Sequence, residues 1–193
     1  MSDVPLDPIA FDVGGLLQRT VTSLYAHLVT RPTGQAVRMA IEARLAGAGE
    51  RSLSLVDLSE VGILDFSCAD EVVAKLLLRY ATDEVHEAFF VFRGVREPHR
   101  DQIVAVLERR GLAAVAETEP GRFELLGRGS EPERRAWTVL EDHGRLEADE
   151  LVLALPSAEH RTALEELAAR RLAFKGPGSG GFHALSRLVR HLM

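Results

Sequence analysis

The stretch SLSLVDLSEVGILDFSCADEVVAKLLLRY, Ser52 to Tyr80, constrains the fold of this chain more than any other. An apolar run (Leu53, Leu55, Val56, Leu58) gives way to a polar segment broken at Gly62. Val72, Val73, Leu76, Leu77 and Tyr80 then recur at helical spacing. A short apolar run bounded by turn residues reads as a buried strand, and the period that follows reads as a helix from about Ala69 to Ala81. Strand, polar turn and helix form the unit from which sheets covered by helices are built. The turn sits on a helix N-terminus, where unpaired N–H groups and the positive end of the helix dipole meet. It is a docking or phosphorylation corner.

The flanking segments repeat that grammar. Residues 1–8 read as a loose arm. Ile9, Phe11 and Val13 alternate as a first strand closed by Gly14-Gly15, and Leu17, Val21, Leu24 and Leu28 place Leu16–Val29 in a helix. Thr33 is the expected N-cap of a helix from Gln35 to Leu45. Ala88 to Phe92 is a fully apolar strand, expected in a sheet covered on both faces with Phe89, Val91 and Phe92 in the core beside Leu55 and Leu76. Pro98 opens a helix over Arg100–Arg110 that Gly111 caps. Leu112–Ala116 and Arg122–Leu126 flank Glu119-Pro120-Gly121 as a hairpin.

From Pro132 the pattern changes. Helices are expected over Glu133–His143, Ala148–Leu155 and Ala158–Leu172, the last with Leu164, Leu167, Ala168 and Leu172 on its apolar side. Ala173–Lys175 and Phe182–Leu185 then flank the glycine-rich tip Gly176–Gly181. The expected fold class is α/β: a mixed sheet with helices over residues 1–127, a linker at 128–132, and a small unit of three helices and a β-hairpin over 133–193.

Two family likenesses attach to these residues. Asp57-Leu58-Ser59-Glu60-Val61 followed by Asp65-Phe66-Ser67 is similar to the turn of STAS domains, found in anti-sigma-factor antagonists. Cys68-Ala69-Asp70-Glu71 is similar to the helix start of their STAS-like relatives, which often occur beside histidine-kinase-type ATPases. The likeness spans roughly Pro32 to Leu126. The serine phosphorylated in that family directly follows the aspartate, and here that position is Phe66; Ser67, one residue later, is the candidate phosphosite. The likeness implies partner-switching signalling, with a kinase-like ATPase or anti-sigma factor binding at Ser59, Asp65, Ser67, Asp70 and Glu71. Residues 133–188 resemble a winged helix-turn-helix, a module that binds DNA or protein or dimerises. In the DNA reading Arg161 and Thr162 enter a groove, and Lys175 and Arg187 touch the backbone from the hairpin.

Charge divides those readings. The net charge of −6 argues against a nonspecific polyanion binder. Residues 129–193 hold nine Lys/Arg against ten Asp/Glu, and Glu159 at the tip of the candidate recognition helix repels phosphate. Eight Phe, two Tyr and one Trp are too few for a base-stacking platform. The reading is therefore a non-enzymatic regulator in bacterial signalling or transcription control. The alternative is a DNA-binding transcription factor whose STAS-like part dimerises with a second copy or senses a ligand.

Other motifs weigh little. Gly176–Gly181 lacks the Gly-Lys-Ser/Thr ending of a P-loop, so it reads as a hairpin tip. Cys68 has no His or second Cys at a motif spacing and reads as a small buried residue. Asp65, Asp70 and Glu71 suit helix capping and the dipole better than cation binding or acid–base work. His27, His86, His99, His143, His160, His183 and His191 form no zinc spacing, so no metal or cofactor is expected. With one cysteine, no apolar run of membrane-spanning length and no leader pattern at Met1–Pro5, the expected compartment is the cytoplasm, away from a membrane.

Overall fold

Asp7–Asp12 (β1) opens a five-stranded sheet with Arg51–Asp57 (β3), Glu87–Arg93 (β5), Ala113–Glu119 (β6) and Arg122–Gly127 (β7). A computed structural model describes residues 7–13, 27–81, 86–177 and 181–190. The strand order is β1-β3-β5-β6-β7. The first four run parallel, and β7 returns antiparallel on the edge. The protein is thus a mixed α/β structure with a mixed sheet. Of the helix expected over Leu16–Val29, residues 16–26 lie outside the described residues. At its end His27–Leu28 (β2) is a short strand paired with Ile63–Leu64 (β4).

Helices Arg31–Leu45 (α1) and Glu97–Arg110 (α3) lie over one face of the sheet. Between them runs α2, built from Phe66–Ala69, a π-helical Asp70–Lys75 and Leu76–Ala81. Helix α1 starts four residues earlier than its periodicity suggests. Thr30, not Thr33, is its N-cap: the Thr30 side chain accepts from the Thr33 N–H, and Pro32 occupies the first turn, where its missing N–H costs nothing. Helix α3 ends as expected on Gly111, whose φ of 68° an L-side chain would strain against. Residues Val56, Phe90, Phe92, Leu76, Ile103 and Leu107 share the core on this side.

The other face carries Leu53, Leu55, Phe89, Val91, Val115 and Leu125, and it is covered by the C-terminal segment. That segment comprises Glu131–His143 (α4), Arg145–Leu146 (β8), Leu151–Ala154 (α5), Ala158–Ala169 (α6), Phe174–Lys175 (β9), Phe182–His183 (β10) and Leu185–Val189 (α7). Both sheet faces are buried, as the apolar run at Ala88–Phe92 predicts, with alternate residues of β5 serving opposite sides. Trp137, Leu140, Leu164, Leu167, Phe174 and Phe182 belong to the same cluster as Phe89, and Phe174 meets Phe89 edge-on at 5.5 Å.

Around residues 128–132 the backbone is held by side chains. Ser130 and Glu133 form a reciprocal capping box, so α4 begins at Glu131, two residues earlier than expected. Arg134 donates to the Leu125 and Gly127 carbonyls, and Arg170 pairs with Glu133 and donates to the Arg128 carbonyl. The second helix of this segment is a single turn, shorter than Ala148–Leu155. Strand β8 adds a third member to the small antiparallel sheet, ordered β8-β10-β9.

Candidate functional site

The connection from β3 through β4 carries Ser59 and Asp65, and Ser67 follows in the first turn of α2, at the end of a parallel sheet where open α/β folds expose their binding crevices. Asp65 is the N-cap of α2. One oxygen, Oδ1, accepts from the Cys68 N–H at 2.8 Å and from the Ser67 hydroxyl at 2.9 Å. Ser67 is partly exposed, with its hydroxyl held against the cap. The Phe66 ring, where the likeness expects a serine, lies 5.7 Å from the Arg109 guanidinium.

Asp70 and Glu71 do not face out. They are 3% and 2% exposed and form a clasp with cations from both neighbouring helices. Arg110 of α3 grips Asp70 with two N–H groups at 3.0 and 3.1 Å. Arg31 of α1 reaches Asp70 at 3.0 Å and Glu71 at 2.9 Å, Arg38 reaches Glu71 at 3.2 Å, and Lys75 pairs with Glu71 as well. Burial pushes both carboxyls up, yet Arg31 and Arg110 on Asp70, and Lys75, Arg31 and Arg38 on Glu71, outweigh it and hold both below the ordinary carboxylate range. The sequence places these two acids in the partner-binding set. The structure instead gives them the work of fastening α1 and α3 to α2, because the π-helical turn aims both into the seam.

Cys68 is fully buried, and its thiol donates to the Thr30 carbonyl at 2.9 Å. Burial, with Asp65 beside it, pushes the thiol up to about 12, so it stays protonated and unreactive. The approach of α1 that buries it depends on Gly34, where a Cβ would come within 2.9 Å of the Cys68 Cα.

Ser59 belongs to a separate cleft. It packs against Gly94, whose φ of 69° and proximity (a Cβ would fall 2.4 Å from the Ser59 Oγ) admit only glycine. With Arg93, Arg96, Glu117 and Pro120 it walls a cavity of about 230 Å³ at the ends of β3, β5 and β6. The charges here are largely matched: Arg93 pairs with Glu117 at 3.3 Å, and Arg96 donates to the Val61 carbonyl at 2.7 Å. Nothing in the chain's periodicity signals this cleft, because it is assembled from three separate loops.

In the C-terminal segment the four candidate DNA contacts are placed as follows. Arg161 donates to the Leu155 and Pro156 carbonyls at 2.7 and 2.6 Å, closing the C-terminal end of α5. Lys175 is bound by both oxygens of Glu165 at 2.8 Å and sits over the Phe182 ring. Thr162 is exposed on α6. Arg187 lies on α7 beside Gly144 rather than on the hairpin. The outward side of α6 reads Glu159, Thr162, Glu165, Glu166, opposite the buried Ala163, Leu164 and Leu167. Next to it in sequence, Val152 and Leu153 on α5 are 63% and 88% exposed.

No protein-family model, curated protein or solved structure matches the chain. Among the described residues no His, Cys, Asp and Glu group is arranged to hold a metal ion, and no helix is long and apolar enough to cross a membrane.

Proposed function

We propose that this chain is a non-enzymatic regulatory protein whose two halves each offer a surface to a partner protein. One half is a STAS-like α/β unit at 1–127, and the other is a winged-helix-like unit at 133–193. Supporting the second assignment is the order of α4, β8, α5, α6, β9 and β10, with α6 in the recognition-helix position. Supporting the first is the strand–corner–helix at Asp57–Asp70, with Ser67 hydrogen-bonded at the helix start as the candidate for phosphorylation. The partners that the likeness implies are a kinase-like ATPase or an anti-sigma factor.

The observation that carries the protein-binding reading is the outward face of α5 and α6. Val152 and Leu153 stand in solvent beside a helix side that shows Glu159, Glu165 and Glu166. Exposed apolar side chains with a charged surround suit a protein contact. The same face repels phosphate, and Arg161 and Lys175 are already engaged within the chain.

The test is reconstitution with the partner recovered from the native host, using purified components. Leu153→Asp and Ser67→Asp are expected to keep the fold while weakening that complex at least tenfold. Salt-sensitive retention on promoter DNA, lost in Arg187→Ala and Thr162→Ala and unaffected by Leu153→Asp, would overturn this reading in favour of a transcription factor.

A further inference from the structure

At the opposite end of the sheet, where β5 and β6 begin, a cavity of about 150 Å³ opens between α2, the sheet and the end of α6. Leu77, Tyr80, Ala88, Phe90, Ala114 and Leu172 line it. The space exists because Ala88 and Ala114 stand on the strands where larger side chains would fill it; Phe90, two residues along β5 on the same side, does fill its position. Exposed Ala81 and Ala169 frame the mouth, so the cavity is open to solvent.

Arg171, which follows α6 and borders the cavity, closes that helix in the left-handed region (φ 60°), its N–H donating to the Ala168 carbonyl and the Leu172 N–H to the Leu167 carbonyl, both at 2.9 Å. The wall favours an apolar occupant over water, which needs about two to four polar partners to be held. Both arginines at the mouth are engaged within the chain. The Arg170 guanidinium is spent on Glu133 and the Arg128 carbonyl, and Arg171 donates to the His86 carbonyl at 3.5 Å.

We propose that this cavity is a binding site for a small uncharged apolar molecule, a single aromatic ring or branched aliphatic of about six to eight non-hydrogen atoms, the size accepted by apolar cavities of this volume. The ligand touches the sheet and the terminus of α6 together. Its binding therefore stabilises the seam between the N-terminal and C-terminal halves and is linked to the placement of α6.

Benzene titrated into the methyl-labelled full chain tests this. Saturable shifts of the Leu77 and Leu172 methyl resonances are expected, with a rise in melting temperature of a few degrees. Ala88→Leu fills the space and is expected to keep the far-UV circular dichroism while losing both responses. Ala114→Val repeats the test should Ala88→Leu not fold. The proposal is overturned if the unmodified protein shows no saturable shift at these methyls up to the solubility limit of benzene. It is equally overturned if a folded filling variant responds as the unmodified protein does.

Discussion

The two faces of the sheet are covered by different means. On one, α1, α2 and α3 come from the connections between neighbouring parallel strands, and four partly exposed cations clasped on the buried Asp70 and Glu71 fix their spacing. On the other, the cover is the C-terminal segment, tied down by apolar contacts centred on Phe89 and Phe174 and by the capped turn at Ser130. Crossover helices are guaranteed a place by strand topology, whereas the second cover depends on a segment that follows the sheet in sequence. Both faces rest on apolar cores, and the first adds a polar clasp on buried carboxylates that has no counterpart of that size among the described residues of the second.

Truncation would break the comparison most severely. A chain ending at Gly127 leaves Leu53, Leu55, Phe89, Val91 and Val115 in water, so a dye-binding, non-cooperative or insoluble product is expected in calorimetry. A cooperative, soluble fragment would mean that the faces are independent. Next come Phe89→Ala and Phe92→Ala, one on each face and both essentially buried. Each is expected to cost about 3–5 kcal/mol in urea unfolding. Only Phe89→Ala should also speed proteolysis within 131–190; equal protection in the two variants would erase the distinction.

Glu71→Gln should cost less, about 1–3 kcal/mol, because Arg31 and Lys75 are partly exposed and regain water when the carboxylate is lost. Acid separates the clasp from the buried histidines, His99 on the first face and His183 on the second. Burial, with Arg96 near His99 and Arg145 near His183, holds both imidazoles below their ordinary range. Their contribution is fully present above about pH 6.5 and is lost as pH falls toward the folded values. Asp70 and Glu71 are likewise held low, so the clasp contributes above the ordinary carboxylate range and fails only as pH drops through their depressed folded values. A stability–pH curve should therefore show an early loss from the histidines and a later one that Asp70→Asn with Glu71→Gln removes. The smallest effect is expected from Glu159→Gln: no change in unfolding, and a slight gain in retention on heparin at low salt.

Much of this was legible from periodicity. The strands β3 and β5, the hairpin β6–β7 and the Gly111 cap follow from local apolar spacing and turn chemistry. Asp65 at a helix start was legible too, although its role as N-cap lengthens α2 by three residues over the apolar pattern. The fate of Asp70 and Glu71 was not. Carboxylates near a helix N-terminus look alike whether solvated or buried, and their arginine partners at 31, 38 and 110 lie about forty residues away in sequence. Arg161 is similar: a cation on a candidate recognition helix reads as a groove contact, and its bonds to the carbonyls of the preceding turn leave no mark in the sequence.

The π-helical run Asp70–Lys75 also bears on how this region tolerates insertion and deletion. Such a turn holds about one residue more than an α-turn, so removing one position from it restores a plain α-helix without shortening the rise much. Everything downstream then keeps its orientation to everything upstream, whereas the same deletion in a plain α-helix would turn it by about 100°. Leu76 and Tyr80 would stay on the sheet and Asp65 and Cys68 at the cap, while the turn that carries Asp70 and Glu71 would tighten. A single-codon deletion within Asp70–Lys75 is therefore expected to loosen the clasp yet leave the fold standing, whereas one within Leu76–Ala81 is expected to turn Tyr80 off the sheet and cost far more.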